Sequence, residues 1–243
     1  MTELTNAQAH RIARERGFVP WVYRVLEFTL FPLLRLVFGL RVLGADNVPK
    51  SGAALIAPNH KSYWDGFVLA AALPRRACAM GKAEAFRGLQ GRFILALGGF
   101  PVRRGESDAE AMITARTVLA RGDLLVVFPE GTLYRDAATL GPPKRGAARL
   151  AIESGAPLVP VAIVGLDKRR LHLPRSVQVS FGEPISVADL EASPDAAGEI
   201  TDNVVWPSLE REYHRLRARP GLIAAGIAAV GLGIALKRRG RDR

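Results

Sequence analysis

One histidine and one aspartate in this sequence have the types and the spacing that general-base chemistry requires. His60 and Asp65 lie in the segment NHKSYWD, after the apolar run ALIAP and before an apolar stretch that reads as a helix. On one continuous helix, residues five apart point about 140° away from each other. The two side chains can therefore meet only if His60 lies in a loop and Asp65 in the first helical turn. Asp65 would then accept a hydrogen bond from one imidazole nitrogen and raise the basicity of the other.

The same segment is also typical of a helix start without a catalytic role. Ser62 and Asp65 have the spacing of a capping box, and an aspartate is favoured near a helix N-terminus. In that interpretation His60 is an incidental loop residue. Spacing alone leaves both interpretations open.

A second candidate segment is FPEGT, residues 128–132, which follows the apolar run LLVV. Glu130, Gly131 and Thr132 there could form a turn whose backbone N–H groups face an anion. The alternative is an ordinary turn between a strand and a helix.

Cations follow two further apolar runs. Arg103 and Arg104 end the segment GGFPVRR, and arginine suits bidentate binding of phosphate. Lys82 follows the run ACAM and adds a further positive charge. Solvated surface charges are the alternative for these residues.

The apolar runs that precede these groups read as strands of one sheet. Between residues 45 and 219, short apolar runs alternate with helical stretches, which predicts an α/β domain with a mixed, largely parallel sheet flanked by helices. Since ligands bind at the carboxyl ends of strands in such sheets, the candidate groups are expected along one edge. The predicted strands are 53–57, 77–80, 100–102, 124–128, 158–164 and 177–181; the predicted helices are 65–73, 83–97, 108–121, 145–154 and 196–217.

An apolar segment from Pro20 to Leu43 precedes this domain. Arg24 and Arg35 interrupt it eleven residues apart, about three helical turns, and so share one helical face. The pattern predicts an amphipathic helical arm, kinked or broken near Pro32, whose arginines reach a membrane surface. A helix that only covers the core is the alternative, but the bulk of the aromatic side chains favours membrane contact. These aromatics are Trp21, Tyr23, Phe28, Phe31 and Phe38.

A second apolar segment, residues 221–236, is followed by the basic tail KRRGRDR. It is shorter than the ~20 residues of a full membrane span, and the tail suits an anionic cytoplasmic leaflet. A packed helical arm and a disordered tail are the alternatives. The sequence thus predicts a membrane-associating arm at 1–44, an α/β domain at 45–219, and an apolar helix with a basic tail at 220–243.

The composition narrows the class of partner. The chain has 243 residues, 49% of them hydrophobic, with 34 Lys and Arg against 23 Asp and Glu, a net charge of +11. The hydrophobic fraction excludes wholesale disorder, and the single cysteine, Cys78, excludes an intramolecular disulfide and a Cys-based zinc cluster. The positive charge favours an anionic partner. P-loop, dinucleotide, nucleophile-elbow and nucleic-acid motifs are all missing, which disfavours nucleotide cofactor chemistry, a serine hydrolase of the nucleophile-elbow type and nucleic-acid binding. Anionic lipids and phosphorylated small molecules stay open as partners.

With these residues assembled, the chain resembles the glycerolipid acyltransferases, and among them the lysophosphatidic acid (1-acylglycerol-3-phosphate) acyltransferases. The resemblance covers residues 42–184. It rests on four blocks in order: NHKSYWD at 59–65, GGFPVRR at 98–104, FPEGT at 128–132 and VPVA at 159–162. The first block fits the family's N-H-x4-D pattern in full.

The resemblance implies acyl transfer without a covalent acyl-enzyme. His60 would take the proton from the free hydroxyl of the acceptor, whose oxygen attacks the thioester of acyl-CoA or acyl-carrier protein, while Asp65 orients His60. The enzyme would make phosphatidic acid at the cytoplasmic face of the cell membrane, with no metal and no cofactor beyond the acyl donor. The acceptor-binding residues would be Asn59, Lys82, Arg103, Arg104, Glu130, Gly131, Thr132 and Arg135.

One position departs from the family pattern. Glu-Gly-Thr is usually followed by Arg, whereas residue 133 here is Leu. Either Arg135 or Arg103 would compensate for the lost phosphate contact, or the acceptor is another lysophospholipid, a glycolipid or an amino-acid lipid. A non-catalytic basic protein that binds membrane surfaces is the alternative from another class.

Overall fold

One seven-stranded sheet organises the described part of the chain. The computed structural model describes residues 5–103, 108–136, 138–166 and 176–218. The strands are Arg41–Leu43 (β1), Ala54–Pro58 (β2), Ala77–Lys82 (β3), Gly99–Val102 (β4), Leu124–Val126 (β5), Leu158–Val164 (β6) and Gln178–Phe181 (β7). Their order across the sheet is β1-β7-β6-β2-β5-β3-β4.

Most neighbouring strands in this sheet are parallel. The strands β6, β2, β5, β3 and β4 run in one direction, whereas β7 is antiparallel to β6 and parallel to β1. Strand β2 is central and buried along its whole length, with Leu55 paired to Leu125 on one side and to Leu158 on the other. The predicted mixed, largely parallel sheet is therefore confirmed.

Helices cover both faces of the sheet, as the uninterrupted apolar strands require. The helices are Asn6–Arg16 (α1), Pro20–Phe28 (α2), Leu30–Val37 (α3), Asp65–Ala72 (α4), Gly88–Ala96 (α5), Ala109–Ala120 (α6), Gly146–Ser154 (α7), Pro194–Ile200 (α8) and Trp206–Arg217 (α9). Helices α2, α3 and α4 share one core with Ile56 and Val161, while α1, α6, α7 and α8 share another with Leu55 and Leu125. Helix α9 packs on Ala162 of β6.

The predicted N-terminal arm is divided between helices and a strand. The break between α2 and α3 is at Thr29, one turn before Pro32, because Pro32 lacks an N–H and its ring crowds the carbonyl of Phe28. The helix predicted to reach Leu43 is wrong at that end, since Arg41–Leu43 is β1 and pairs with β7. The sheet therefore takes a strand from within the segment 1–44.

The aromatic side chains of the arm divide between core and surface. Tyr23, Phe31 and Phe38 are buried against α4 and the sheet. Trp21 and Phe28 are 70% and 78% exposed. Only the second group presents an apolar surface to the surroundings.

Arg35 has a hydrogen-bond partner on α4. Its Nε and Nη2 atoms donate to the carbonyl oxygen of Ala71 at 3.0 and 2.6 Å. A cation beside the C-terminus of α4 stabilises the carbonyls that lack partners there. This contact docks α3 on α4, and the membrane contact predicted for Arg24 and Arg35 stays a prediction.

No single helix in the described ranges is long and apolar enough to cross a membrane. Helix α1 taken together with Pro20–Val37, across an 80° bend, meets the requirement of length and composition as a pair. The apolar helix predicted at 221–236 lies outside the described residues.

Two predicted helices are divided in the structure. The stretch 83–97 forms a 3₁₀ turn, Ala83–Phe86, before α5, and 196–217 forms α8 and α9 around a π-helical turn, Thr201–Val205. Gly91 allows the first division, because a Cβ on Gly91 would lie 2.2 Å from the backbone carbon of Phe86.

Candidate active site

The loop after β2 brings His60 to the carboxyl edge of the sheet. Asn59 anchors the start of this loop: its Nδ2 donates to the carbonyl of Ile163 at 3.0 Å, and its Oδ1 accepts from the Ile163 amide at 2.7 Å. The side-chain amide of Asn59 thus continues the β2–β6 pairing in place of a peptide group. Since Asn59 is fully buried and its amide is occupied, the structure gives it a positioning role in place of the predicted contact with the acceptor.

His60 and Asp65 are in direct contact. The Nδ1 of His60 lies 3.0 Å from Oδ2 of Asp65, which is fully buried. Helix α4 begins at Asp65, with His60 in the preceding loop. The arrangement that the five-residue spacing demanded is therefore present.

The same carboxylate oxygen also fixes the loop between the two residues. Oδ2 of Asp65 accepts from the backbone N–H groups of Lys61 at 2.6 Å and Ser62 at 2.8 Å. The contact with His60 expected of a general-base pair and the contact with Ser62 expected of a helix start are thus made by the same atom. The other oxygen, Oδ1, is buried and has no hydrogen-bond partner in the described structure.

This contact sets the tautomer of His60. An ionised carboxylate can only accept hydrogen bonds, so the proton of the neutral imidazole lies on Nδ1 and the lone pair on Nε2. The ring of His60 packs on that of Phe128, with centroids 4.1 Å apart, and its side chain is 13% exposed. His60 is thus held by its surroundings and is still accessible as a general base.

Glu130 ties the turn after β5 to the loop that carries His60. Its Oε1 accepts from the His60 amide at 2.9 Å, and its Oε2 accepts from the Gly141 amide at 3.3 Å. Burial raises the pKa of Glu130 above its ordinary value, and the hydrogen bond from His60 partly offsets this effect. With 3% exposure, Glu130 positions the backbone of His60, and its predicted contact with the acceptor stays a prediction.

Gly131 and Thr132 complete this turn. Gly131 has a φ of 65°, which favours glycine, and its amide donates to the carbonyl of Phe128 at 3.0 Å. That N–H is therefore used within the turn and does not face an anion. Thr132 is exposed beside it, so its predicted contact with the acceptor stays a prediction.

The predicted cations lie at neighbouring strand ends. Lys82 ends β3 and Arg103 follows β4, and the two strands pair with Lys82 opposite Val102. Lys82 Nζ is 3.2 Å from Glu84 Oε1, and Arg103 Nε is 3.6 Å from Asp108 Oδ2. Arg104 lies outside the described residues.

Arg135 contacts the loop of residues 59–64 that carries His60, here called the catalytic loop. Its guanidinium carbon is 5.9 Å from the centre of the Tyr63 ring, within the range of a cation–π contact. Tyr63 and Arg135 are both exposed. Arg135 is therefore close to the loop of His60, as its predicted role requires.

Lys61, which the sequence does not single out, holds the catalytic loop against the segment 136–139. It is only 4% exposed, and its Nζ donates to the carbonyls of Asp136, at 2.7 Å, and Thr139. The same ammonium lies over the rings of Tyr134 and Tyr213 at 4.9 and 5.4 Å. No local pattern marks Lys61, because its acceptors are carbonyls more than seventy residues away along the chain.

Two other kinds of chemistry to consider among the described side chains are metal binding and attack by a cysteine thiol. They contain no group of three or more His, Cys, Asp or Glu that could hold a metal ion. Burial raises the pKa of the Cys78 thiol to about 11, so this cysteine is protonated near neutral pH and is a poor nucleophile.

Known proteins are similar to this chain in sequence and in fold. Residues 39–164 match the family model described as Acyltransferase. The chain is 30% identical over 176 residues to the 1-acyl-sn-glycerol-3-phosphate acyltransferase of Bacillus subtilis, covering 71% of this chain and 87% of that protein. It is 29% identical over 172 residues to the enzyme of that name from Streptococcus pneumoniae, covering 68% and 63%; the chain thus spans a little under two thirds of that relative.

A solved structure resembles the fold. The LPA acyltransferase PlsC from Thermotoga maritima superposes with a TM-score of 0.65 at 24% identity, over 83% of this chain and 80% of that one. The fold and the matched model define an acyltransferase, so the chain is an enzyme. The relatives define the family more narrowly than the matched model does. The chain belongs to the family of the 1-acylglycerol-3-phosphate acyltransferases.

Proposed function

We propose that this enzyme transfers a fatty acyl group from acyl-CoA or acyl-carrier protein to the free hydroxyl of lysophosphatidic acid, which gives phosphatidic acid. The observation that carries the proposal is the contact between His60 Nδ1 and Asp65 Oδ2, which leaves Nε2 as the basic nitrogen. Cations at the same edge of the sheet, Lys82 and Arg103, support an acceptor with a phosphate. The names of the relatives support the same acceptor.

The proposed mechanism moves one proton through His60. Nε2 takes the proton of the acceptor hydroxyl as its oxygen forms a bond to the thioester carbonyl carbon. The tetrahedral intermediate then expels the thiolate, which takes the proton from the imidazolium. The negative charge of Asp65 stabilises the imidazolium between the two steps.

We further propose that the enzyme works on a membrane surface, at the cytoplasmic face of the cell membrane. Apolar side chains on one side of α2 and α3, here called the outer face, are more than half exposed: Trp21, Val25, Phe28, Leu33 and Leu36. Their spacing puts them on a common side of each helix. An exposed apolar patch of this kind is typical of a membrane or protein contact.

The C-terminal end of α3 is close to the catalytic loop. The ring of Trp64, one residue before Asp65, lies 5.7 Å from that of Phe38, the residue that follows α3. Trp64 and Tyr63 are themselves 44% and 76% exposed. A lysolipid could therefore keep its acyl chain in the membrane while its head group reaches His60.

The proposal is tested by removing the general base. Purified wild type and His60→Ala are compared for free-thiol release from acyl-CoA and from acyl-carrier protein thioester, with lysophosphatidic acid as acceptor. We expect kcat to fall by about a thousandfold or more, since general-base catalysis contributes 10²–10⁴-fold. Retained turnover by a folded His60→Ala variant would overturn the mechanism.

Leu133 favours a second candidate function, acylation of another lysolipid or glycolipid. The turn from 128 to 133 contains no cation of its own, so preference for a phosphate monoester depends on residues outside it. A panel of acceptors decides between the candidates. A higher kcat/KM with a neutral or zwitterionic lysolipid than with lysophosphatidic acid would favour the second.

A further inference from the structure

We propose that Lys144 binds the phosphate of the acceptor beside the turn formed by residues 128–132. The inference rests on the proposed function, because it assumes an acceptor that carries a phosphate. Lys144 lies well beyond the FPEGT segment along the chain, and neither its position nor its neighbours in the sequence indicate a binding role.

The structure brings Lys144 onto this turn. Its backbone amide donates to the carbonyl of Pro129 at 2.8 Å. Its side chain then crosses Gly131: a Cβ built on Gly131 would lie 2.9 Å from Cδ and Cε of Lys144 and 3.0 Å from its Nζ. Gly131 therefore makes room for the lysine, and the ammonium lies against the turn itself.

Hydrogen bonds also attach the turn to the backbone of His60. Glu130 accepts from the His60 amide at 2.9 Å, and the Tyr134 amide donates to the His60 carbonyl at 2.9 Å. Residues on both sides of Gly131 are thus bonded to the residue that carries the general base. A cation seated on Gly131 has a defined position relative to His60, as an acceptor-binding group requires.

Lys144 also differs from Lys82 and Arg103, which each have a carboxylate partner. Lys82 pairs with Glu84, Arg103 with Asp108, and Arg135 lies over Tyr63. Lys144 is exposed and, within the described ranges, has no carboxylate within salt-bridge distance. A lysine ammonium offers three donors to phosphate oxygens.

The neighbouring residue provides a matched control. Arg145 is exposed too, but its Nη2 lies 3.6 Å from Oδ2 of Asp202. Its guanidinium packs against Gly198 of α8, where a Cβ would lie 2.9 Å from Cζ. Arg145 is therefore directed to α8, and its removal changes the net charge equally without touching the turn.

The test compares full-length wild type with Lys144→Met, Lys144→Arg and Arg145→Met. Initial rates are measured with lysophosphatidic acid and with a monoacylglycerol of the same chain length, and glycerol 3-phosphate is titrated as a competitor and as a ligand in calorimetry. For Lys144→Met we expect KM for lysophosphatidic acid and the dissociation constant of glycerol 3-phosphate to rise by about ten- to a hundredfold, the range for one charge-assisted hydrogen bond. The rate with monoacylglycerol should stay within about twofold, Lys144→Arg should recover most of the loss, and Arg145→Met should resemble wild type.

The outcomes distinguish the role of Lys144 from the identity of the acceptor. Unchanged KM and unchanged glycerol 3-phosphate binding in Lys144→Met overturn the role of Lys144, as does an equal loss in Arg145→Met, which would indicate a general effect of charge. A wild type that fails to acylate lysophosphatidic acid overturns the proposed acceptor. The binding of glycerol 3-phosphate then still decides on Lys144.

Discussion

The side-chain hydrogen bonds of Asp65 all go to one of its two oxygen atoms. Oδ2 accepts from the imidazole of His60 and from the amides of Lys61 and Ser62, while Oδ1 is buried without a partner. An asparagine with its carbonyl oxygen in the place of Oδ2 can keep all three hydrogen bonds. Substitution by asparagine therefore removes the charge of Asp65 while it preserves the tautomer of His60.

This geometry predicts separate effects for two variants of Asp65. In Asp65→Asn we expect a folded enzyme whose kcat falls by about a hundredfold with little change in KM, because the hydrogen bonds to Oδ2 are kept and the charge that stabilises the imidazolium is lost. In Asp65→Ala the amides of Lys61 and Ser62 also lose their acceptor, which costs about 2 kcal/mol or more of stability. Steady-state kinetics and denaturant unfolding of both variants measure the difference; equal losses of stability would contradict the assignment.

At the scale of elements, the loops and helices hold the site through long-range polar contacts. Helix α1 docks on α6 through His10, whose Nδ1 lies 3.0 Å from Oγ1 of Thr114. Burial lowers the pKa of His10 below its ordinary value of 6.5, and nearby Glu110 partly offsets this effect. As the pH falls through 6.5, His10 binds a proton more readily in the unfolded chain than in the folded protein. The free energy of unfolding therefore decreases.

We therefore expect His10→Gln to weaken the dependence of stability on pH. Between about pH 7.5 and about pH 5.5, the fall in Tm should be smaller for His10→Gln than for wild type. The prediction fails if His10→Gln retains the wild-type slope.

Most elements were predictable from the sequence because their signal is local. The buried parallel strands are uninterrupted apolar runs, and the predicted ranges agree with β2 to β7 to within a few residues. Strand β1 was missed because its three residues, Arg41–Leu43, are half exposed and form a strand only by pairing with β7. The division of 83–97 was missed because it depends on the contact of Gly91 with Phe86.

At the scale of the whole molecule, one surface differs from the rest. The outer face of α2 and α3 exposes large apolar side chains, whereas the opposite sides of these helices fill the core. The net charge of +11 suits an anionic surface. Together these features support docking of the enzyme with the catalytic edge toward lipid.

Binding to vesicles tests this orientation. We expect the triple variant Trp21→Ser, Phe28→Ser and Leu36→Ser to lose at least about a hundredfold in affinity for vesicles that contain anionic lipid, since each buried side chain contributes about 1.5–3 kcal/mol. The control Leu89→Ser with Ile113→Ser removes side chains that are 73% and 51% exposed elsewhere. Sedimentation with vesicles measures both; equal losses in the two variants would contradict a specific docking face.

The sequence by itself determined the α/β class, the order of most elements and the pair His60–Asp65, because apolar runs and short spacings are local properties of the chain. The tertiary structure alone decided what the remaining polar residues do. Asn59 and Glu130 hold backbone groups that lie 104 and 70 residues away, and Lys61 is buried by contacts of similar range. Hydrogen bonds between distant segments leave no periodic trace in a sequence, so only the folded chain distinguishes a residue that positions the site from one that faces the substrate.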